Sequence, residues 1–355
     1  MIDDVRVVRY QRADRERVFT FLREALPPAE SARLMRQWEW KYEANPFNRD
    51  NEPYILLLQG HRQLVGIYGR LFFRAVIDGA ERLVHHGCDL VVHPAYRGHG
   101  LSARLRDCDL IESALHFSWQ NEASYQVASR DGTAGVPYRA LVKPLDVSAM
   151  VRHVVGDHWF ARTVSSVINR ALQHIPPLRR HSAAPEVAVT RIASFDDRFD
   201  RLWQRCCGSY RAMIVRDRRY LDWRFKQRPD AEYSIVVATR GSDLVGYMVT
   251  RCVDRDRKRW GYLADFLVEE GSALVFAVLV EHAVNELRQQ NAALAICRIA
   301  VPPYLSMLYR QGFLPWARAP QGYLRVRMPL QSSPSAADAR HWFWTMGDGD
   351  LEMAF

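Results

Sequence analysis

Between Val91 and Leu105 a valine pair is stopped by Pro94, glycines follow at Gly98 and Gly100, and a helical pattern begins at once. Arg97 precedes the first glycine, His99 separates the two, and Leu101 and Ser102 follow the second. Glycines let a backbone come close to a bound group, and successive N–H groups at a helix start form a cradle for anions. The helix dipole adds partial positive charge at the same place, and Arg97 can add a full one. The chemistry this serves is the holding of a phosphate or pyrophosphate. The spacing is not that of a dinucleotide fingerprint, since no acidic ribose partner follows, and the Gly-Lys-Ser/Thr of a P-loop is absent.

The strand-like run just before this loop carries side chains that could move a proton. Asp89 is its one carboxylate, with His85 and His86 beside it, and a histidine near neutrality suits proton abstraction. Alternation along a strand predicts His85 and Asp89 on one face and His86 on the other. Glu122, after the next strand, is a further candidate base. No carboxylate or cysteine completes a ligand set around His85, His86, His93 and His99, and the six cysteines show no CxxC pair. No metal site and no disulfide framework are expected.

The elements that must position these residues can be read from periodicity and turn signals. A strand at Val5–Arg9 and helices at Asp14–Leu26 and Ser31–Tyr42 precede strands at Tyr54–Leu58, Leu64–Phe73 and Leu83–Val92. The loop leads into a helix from Leu101 to about Ser113. The later part of the chain predicts strands near Val187–Ile192, Tyr233–Thr239, Asp243–Cys252 and Trp260–Val268. A helix follows at Ala273–Gln290, then a strand at Leu294–Ala300 and a short helix at Tyr304–Arg310.

The chain also repeats itself. Trp40-Lys41-Tyr42 with Pro46 recurs as Trp223-Arg224-Phe225 with Pro229, offset by 183 residues. Leu64-Val65-Gly66 recurs as Leu244-Val245-Gly246, and Cys88–Val92 lines up with Ala264–Val268. The order is kept and the offset drifts by a few residues, as changes in loop length produce. At the place of the glycine loop the second copy reads Val268-Glu269-Glu270-Gly271-Ser272-Ala273, whose two carboxylates would repel a pyrophosphate. The expected organisation is a first unit at 1–150, a helical linker at 151–185, a second unit at 186–330 and an aromatic tail at 331–355. The expected fold class is α/β, a mixed sheet with helices on its faces in each unit.

Composition sets the outer limits. The chain has 355 residues, 48% hydrophobic and 25% charged, which is the balance of a soluble globular protein. Its first residues form no secretory signal, and its most apolar run, Ala273 to Val280, falls far short of the ~20 residues of a membrane span. A cytoplasmic location is expected. The net charge of +9 fits an anionic ligand, but no nucleic-acid-binding module is recognisable, so nucleic acid is not the expected partner.

The loop Arg97-Gly98-His99-Gly100-Leu101-Ser102 resembles the signature Arg/Gln-x-x-Gly-x-Gly/Ala of the GNAT (GCN5-related) N-acetyltransferases, with serine in the last position. The chain as a whole resembles the tandem GNAT proteins of bacteria, some of them linked to polysaccharide or other glycan assembly. The shared features include the repeated Trp-Lys/Arg-aromatic-x3-Pro element, Gln120-Asn121-Glu122, and Trp344-Thr345-x-Gly347-Asp348-x-Asp350 in the tail. The resemblance implies acetyl transfer from acetyl-CoA, as co-substrate and without a metal, to an amine such as that of a small molecule or amino sugar. It implies that the backbone of Leu90, Val91 and Val92 holds the pantetheine arm. It also implies a tyrosine on the helix after the fifth strand as acid, a place held by Tyr138 and copied at Tyr309. Two rival functions remain open at this stage: a FemABX-like aminoacyl transferase using aminoacyl-tRNA, and an acyl-CoA-binding scaffold without turnover. The acceptor, the acyl length and the oligomeric state are not set by these residues.

Overall fold

The computed structural model describes residues 5–61, 63–108, 115–121, 136–137, 139–148, 159–174, 187–255, 258–299, 301–316, 322–327 and 342–349. Among these, sixteen strands run in chain order. The first seven are β1 (Arg6–Arg9), β2 (Tyr54–Gln59), β3 (Leu64–Ile77), β4 (Ala80–Val92), β5 (Leu115–Asn121), β6 (Val136–Pro137) and β7 (Arg139–Pro144). After them come β8 (Val187–Ile192), β9 (Ala212–Ile214), β10 (Ser234–Arg240), β11 (Asp243–Arg255), β12 (Lys258–Val268) and β13 (Leu294–Ile299). The last are β14 (Leu314–Pro315), β15 (Gly322–Arg327) and β16 (Trp342–Phe343).

They form two mixed sheets. The first has the order β1-β2-β3-β4-β5-β15-β6, and the second β8-β10-β11-β12-β13-β7-β14. In each main run only one neighbouring pair is parallel, β4 with β5 and β12 with β13. The two orders match strand for strand once β7 and β15 are exchanged. β7 lies before the linker yet pairs with β13 in the second sheet, from Leu294↔Pro144 to Ile299↔Arg139. β15 lies in the later part yet pairs with β5 in the first sheet, from Gly322↔Asn121 to Arg327↔His116. The sheets therefore do not divide at the linker as the sequence boundary at residue 150 divides the chain. Local periodicity marks a strand but carries no information on which distant edge it joins.

The helices follow their apolar stripes. In the Arg15–Ala25 helix Val18, Phe21, Leu22 and Ala25 are buried, and in the Ala273–Gln289 helix the buried face runs from Val275 to Leu287. The second helix of the first half spans Pro28–Trp38 and continues as a wider turn over Glu39–Glu43, which buries Trp40, Lys41 and Tyr42. No helix among the described residues is long and apolar enough to cross a membrane.

The repeated tryptophans meet at the contact between the halves. Trp40 and Trp223 stack with ring centroids 5.3 Å apart. Trp40 Nε1 donates to the Trp223 carbonyl at 2.7 Å, and Trp223 Nε1 donates to the Trp40 carbonyl at 3.0 Å. Each copy makes to the other the contact it receives, as across a two-fold axis. β9 and β16 tighten the same junction: β9 pairs with the far end of β3, and β16 pairs with β9.

Candidate functional site

Among the described residues, β4 is paired with β5 from Val84 to His86, opposite Leu115 to Phe117. Beyond His86 it runs on to Val92 while its other edge stays on β3 up to the Gly66↔Val92 pair. Among the described residues, the backbone of β4 on the β5 side has no ladder partner after His86. Such backbone groups can serve an extended ligand carrying amides, as an added strand would. Within this stretch the register with β3 slips: Ile67 faces Val91 and Gly69 faces Cys88, leaving Tyr68 opposite both Asp89 and Leu90. This is a β-bulge, and Asp89 adopts φ +50° within it.

The bulge overturns the expected alternation. Cys88 Sγ lies 3.4 Å from the Tyr42 hydroxyl, and that hydroxyl donates to Asp89 at 2.6 Å, so consecutive residues reach one side chain. His85 instead pairs with His116, ring nitrogen to ring nitrogen at 2.8 Å. His85 and Asp89 are not brought together. Lys41 Nζ also binds Asp89, at 2.7 Å. Burial pushes the Asp89 carboxyl up, but the Lys41 charge and the bonds from Lys41 and Tyr42 outweigh it and hold Asp89 below its ordinary value. Burial, with help from the nearby Arg70 and His86, lowers His85 to about 3. Both groups are therefore weak proton acceptors, unlike a base poised near neutrality. His86 stacks on Phe117 at 5.0 Å, on the last paired rung before the strands part.

Glu122 and Tyr138 lie outside the described residues. The residues on either side of Tyr138 are nevertheless strand, β6 and β7, rather than the helix expected there. Tyr309 does sit on a helix, Pro302–Arg310, ahead of β14.

The loop expected to bind phosphate leaves the end of the released strand. His93 N–H donates to the Val65 carbonyl, and a single turn at Pro94–Tyr96 leads to Arg97, whose Nε donates to the Val92 carbonyl at 3.1 Å. Gly98 and Gly100 have φ of +82° and +73°, and a Cβ added at either would meet nothing within 4 Å. Arg97, Gly98, His99 and Gly100 are exposed, and the Leu101–Asp107 helix starts directly after them. The first N–H groups of a helix have no acceptor inside it. An open loop with left-handed glycines, an arginine and free first-turn N–H groups fits a pyrophosphate. Leu90 stands beside it as an exposed apolar side chain, Val91 is buried and Ser102 is half-buried.

The second sheet repeats the frame and fills it differently. β12 is paired with β13 only from Trp260 to Leu263, then runs on to Val268. Glu269 N–H donates to Val245, the counterpart of the His93–Val65 bond. At the loop itself Glu269 is bound by Arg205 at 2.6 Å. The protein's own Trp344–Gly349 segment packs against β12 and β13 where they part, and the sequence motif at Trp344–Asp348 did not announce that place. Met346 packs with Tyr262 and Ile296, one from each strand. Arg216, fully buried, donates to Asp348 at 2.6 and 2.8 Å and to Asp265 at 3.2 Å. Thr345 Oγ1 donates to Asp265 at 2.6 Å, and the Tyr220 hydroxyl donates to the Gly347 carbonyl at 2.8 Å. The same segment reaches the first sheet: Trp344 packs on Phe117, and Trp119 Nε1 donates to the Asp348 carbonyl at 3.3 Å. A Cβ at Gly349 would lie 2.5 Å from the Trp119 ring and 3.5 Å from His86. The segment thus ends against the split of the first sheet.

No protein-family model matches the chain, and the search of curated proteins returns no match. Solved structures do match over nearly its whole length. A GCN5-related N-acetyltransferase from Anabaena variabilis superposes with a TM-score of 0.60 at 10% identity, covering 91% of this chain and 72% of that one. A GCN5-related N-acetyltransferase from Kribbella flavida gives 0.55 at 15% identity, with 92% and 71% covered. Saccharomyces cerevisiae N-myristoyltransferase with bound myristoyl-CoA gives 0.55 at 12% identity, with 91% and 78% covered. At these identities the likeness is one of fold: the chain is a mixed α/β protein built on the GNAT acyltransferase fold.

Proposed function

We propose that the protein is an acyl-CoA-dependent N-acyltransferase that binds acetyl-CoA in its first half and acetylates a primary amine, of a small molecule or an amino sugar. The observation that carries this is the junction at Leu90–Ser102: a strand released from its neighbour runs straight into an open, left-handed glycine loop at a helix start. The loop N–H groups and Arg97 would take the pyrophosphate, and the free edge of β4 would hold the amide-bearing arm. Bound there, acetyl-CoA would supply a thioester carbonyl open to an amine. His86 and Trp119, beside the split, would flank the place where that amine approaches. The second half, with Glu269 at its loop and the Trp344–Gly349 segment at its split, would hold no acyl-CoA, so one site per chain is expected.

Calorimetric titration of acetyl-CoA into the wild type and Gly100→Glu tests the assignment. One site per chain, lost in the variant, is the expected result. The substitution places a carboxylate in the cradle and costs about 1–2 kcal/mol for its positive φ, so the melting temperature should fall by only a few degrees. No binding to the wild type, or equal affinity in the variant, overturns the proposal. Release of free CoA that depends on an added amine then tests turnover. Binding without any such release across a panel of amines and amino sugars would make the protein an acyl-CoA binder rather than an enzyme.

A further inference from the structure

Among the described residues the last rung between β4 and β5 is His86↔Phe117, and Gly87 is the next residue along β4. A ligand that lays a diphosphate on the Arg97–Ser102 loop and runs back along the edge of β4 brings its far end to this point. At about 3.3 Å per residue, the strand from Val92 back to Gly87 covers roughly 16 Å. The residues around Gly87 therefore bound whatever that far end carries, which for an acyl-CoA is the acyl group.

At Gly87 two neighbouring side chains take the place of a third. A Cβ there would run into the Tyr68 hydroxyl, and it would lie 2.9 Å from Tyr68 Cζ and 2.5 Å from His116 Cε1. Tyr68 comes from β3 opposite the bulge, is 5% exposed, and has the Arg70 guanidinium 5.3 Å from its ring centroid. His116 is held by His85, with ring nitrogens 2.8 Å apart. The opposite face of the sheet belongs to His86, which stacks on Phe117, and to Trp119. The Gly349 backbone lies against both the His86 and the Trp119 rings. The place where β4 and β5 part is thus bounded on both faces, by Tyr68 and His116 on one and by His86, Trp119 and Gly349 on the other. An acetyl group fits in the plane between the strands. A longer chain has to leave that plane, and on the Gly87 face it meets the Tyr68 ring.

We propose that Tyr68 sets the acyl length of the site by filling the space over Gly87, a role that rests on the acyl-CoA reading above. Calorimetric titration of the full chain with acetyl-CoA, propionyl-CoA and hexanoyl-CoA tests it, in the wild type, Tyr68→Leu and Tyr68→Phe. The readout is the ratio of affinities within each protein, which a side chain that only supports the fold would not move. The wild type should prefer acetyl-CoA to hexanoyl-CoA by at least about tenfold. Tyr68→Leu keeps an apolar side chain at this buried position but ends short of Gly87, and it should lower that preference by at least about tenfold. Tyr68→Phe removes only the atom nearest Gly87, and it should lower the preference for acetyl-CoA over propionyl-CoA. If Tyr68→Leu does not fold, as judged by circular dichroism, the wild type and Tyr68→Phe decide. No binding of any of the three by the wild type overturns the acyl-CoA reading and this proposal with it. Equal affinity of the wild type for acetyl-CoA and hexanoyl-CoA, or preferences unchanged in the folded variants, leaves that reading standing and overturns the role of Tyr68.

Discussion

Lys41 and Arg224 stand at the same place in the two copies, and the difference between them separates the two halves chemically. Lys41 neutralises Asp89 in the bulge of β4. Arg224 instead donates to the carbonyls of Gly347 at 3.0 Å and Gly349 at 2.7 Å, while Arg216 serves Asp265. A planar guanidinium can span two carbonyls where a lysine ammonium offers a single point of charge. Removing one partner of a buried ion pair leaves the other uncompensated. Lys41→Met should therefore destabilise the protein by roughly 3 kcal/mol, measured by urea denaturation, and Asp89→Asn in the same background should recover part of that loss. No loss in Lys41→Met would mean that Tyr42 alone suffices to hold the carboxylate.

Among the elements, the Trp344–Gly349 segment is held by charge as well as by packing. Asp265 and Asp348 share the single guanidinium of Arg216, and all three side chains are buried. Burial raises the Asp348 carboxyl from its ordinary 3.8 to about 6, against the pull of Arg216 and with the help of Asp265. The folded protein keeps this proton up to about 6, whereas the unfolded chain releases it near 3.8. The native state thus binds more protons between those values, and this group's contribution to stability falls as pH rises from about 4 to about 6. Asp348→Asn should remove that slope, worth about 3 kcal/mol, from melting temperatures recorded between pH 4 and 8. A slope identical in wild type and variant would place the proton on another group.

At the scale of the whole molecule, the exchange of β7 and β15 makes each sheet depend on the other half of the chain. Neither half holds all the strands of its own sheet, and the reciprocal Trp40–Trp223 contact closes the junction at its centre. The halves should unfold together: one transition in urea, with fluorescence and circular dichroism coincident. Trp223→Ala should shift that transition as a unit, at a cost of about 3–5 kcal/mol. Two separated transitions would mean that the exchanged strands contribute little to cooperativity.

The sequence alone determined the elements and their repetition, because both rest on local chemistry. Periodicity located β8, β10, β11 and β12 and the helices that start at Arg15, Ala273 and Pro302. The shared Trp-basic-aromatic-x3-Pro element predicted two matching units, and Pro94, Gly98 and Gly100 marked the turn between β4 and the helix that starts at Leu101. Three things were decided only by tertiary structure. The face taken by Asp89 depends on a bulge against Tyr68, which alternation along a single strand cannot anticipate. The partners of β7 and β15 depend on sheet edges more than a hundred residues away. The place of Trp344–Gly349 depends on a split between β12 and β13 and on Arg216 and Arg224 beside it. Each is a contact between distant parts of the chain, set by which unsatisfied edge or charge lies within reach once the two sheets have come together.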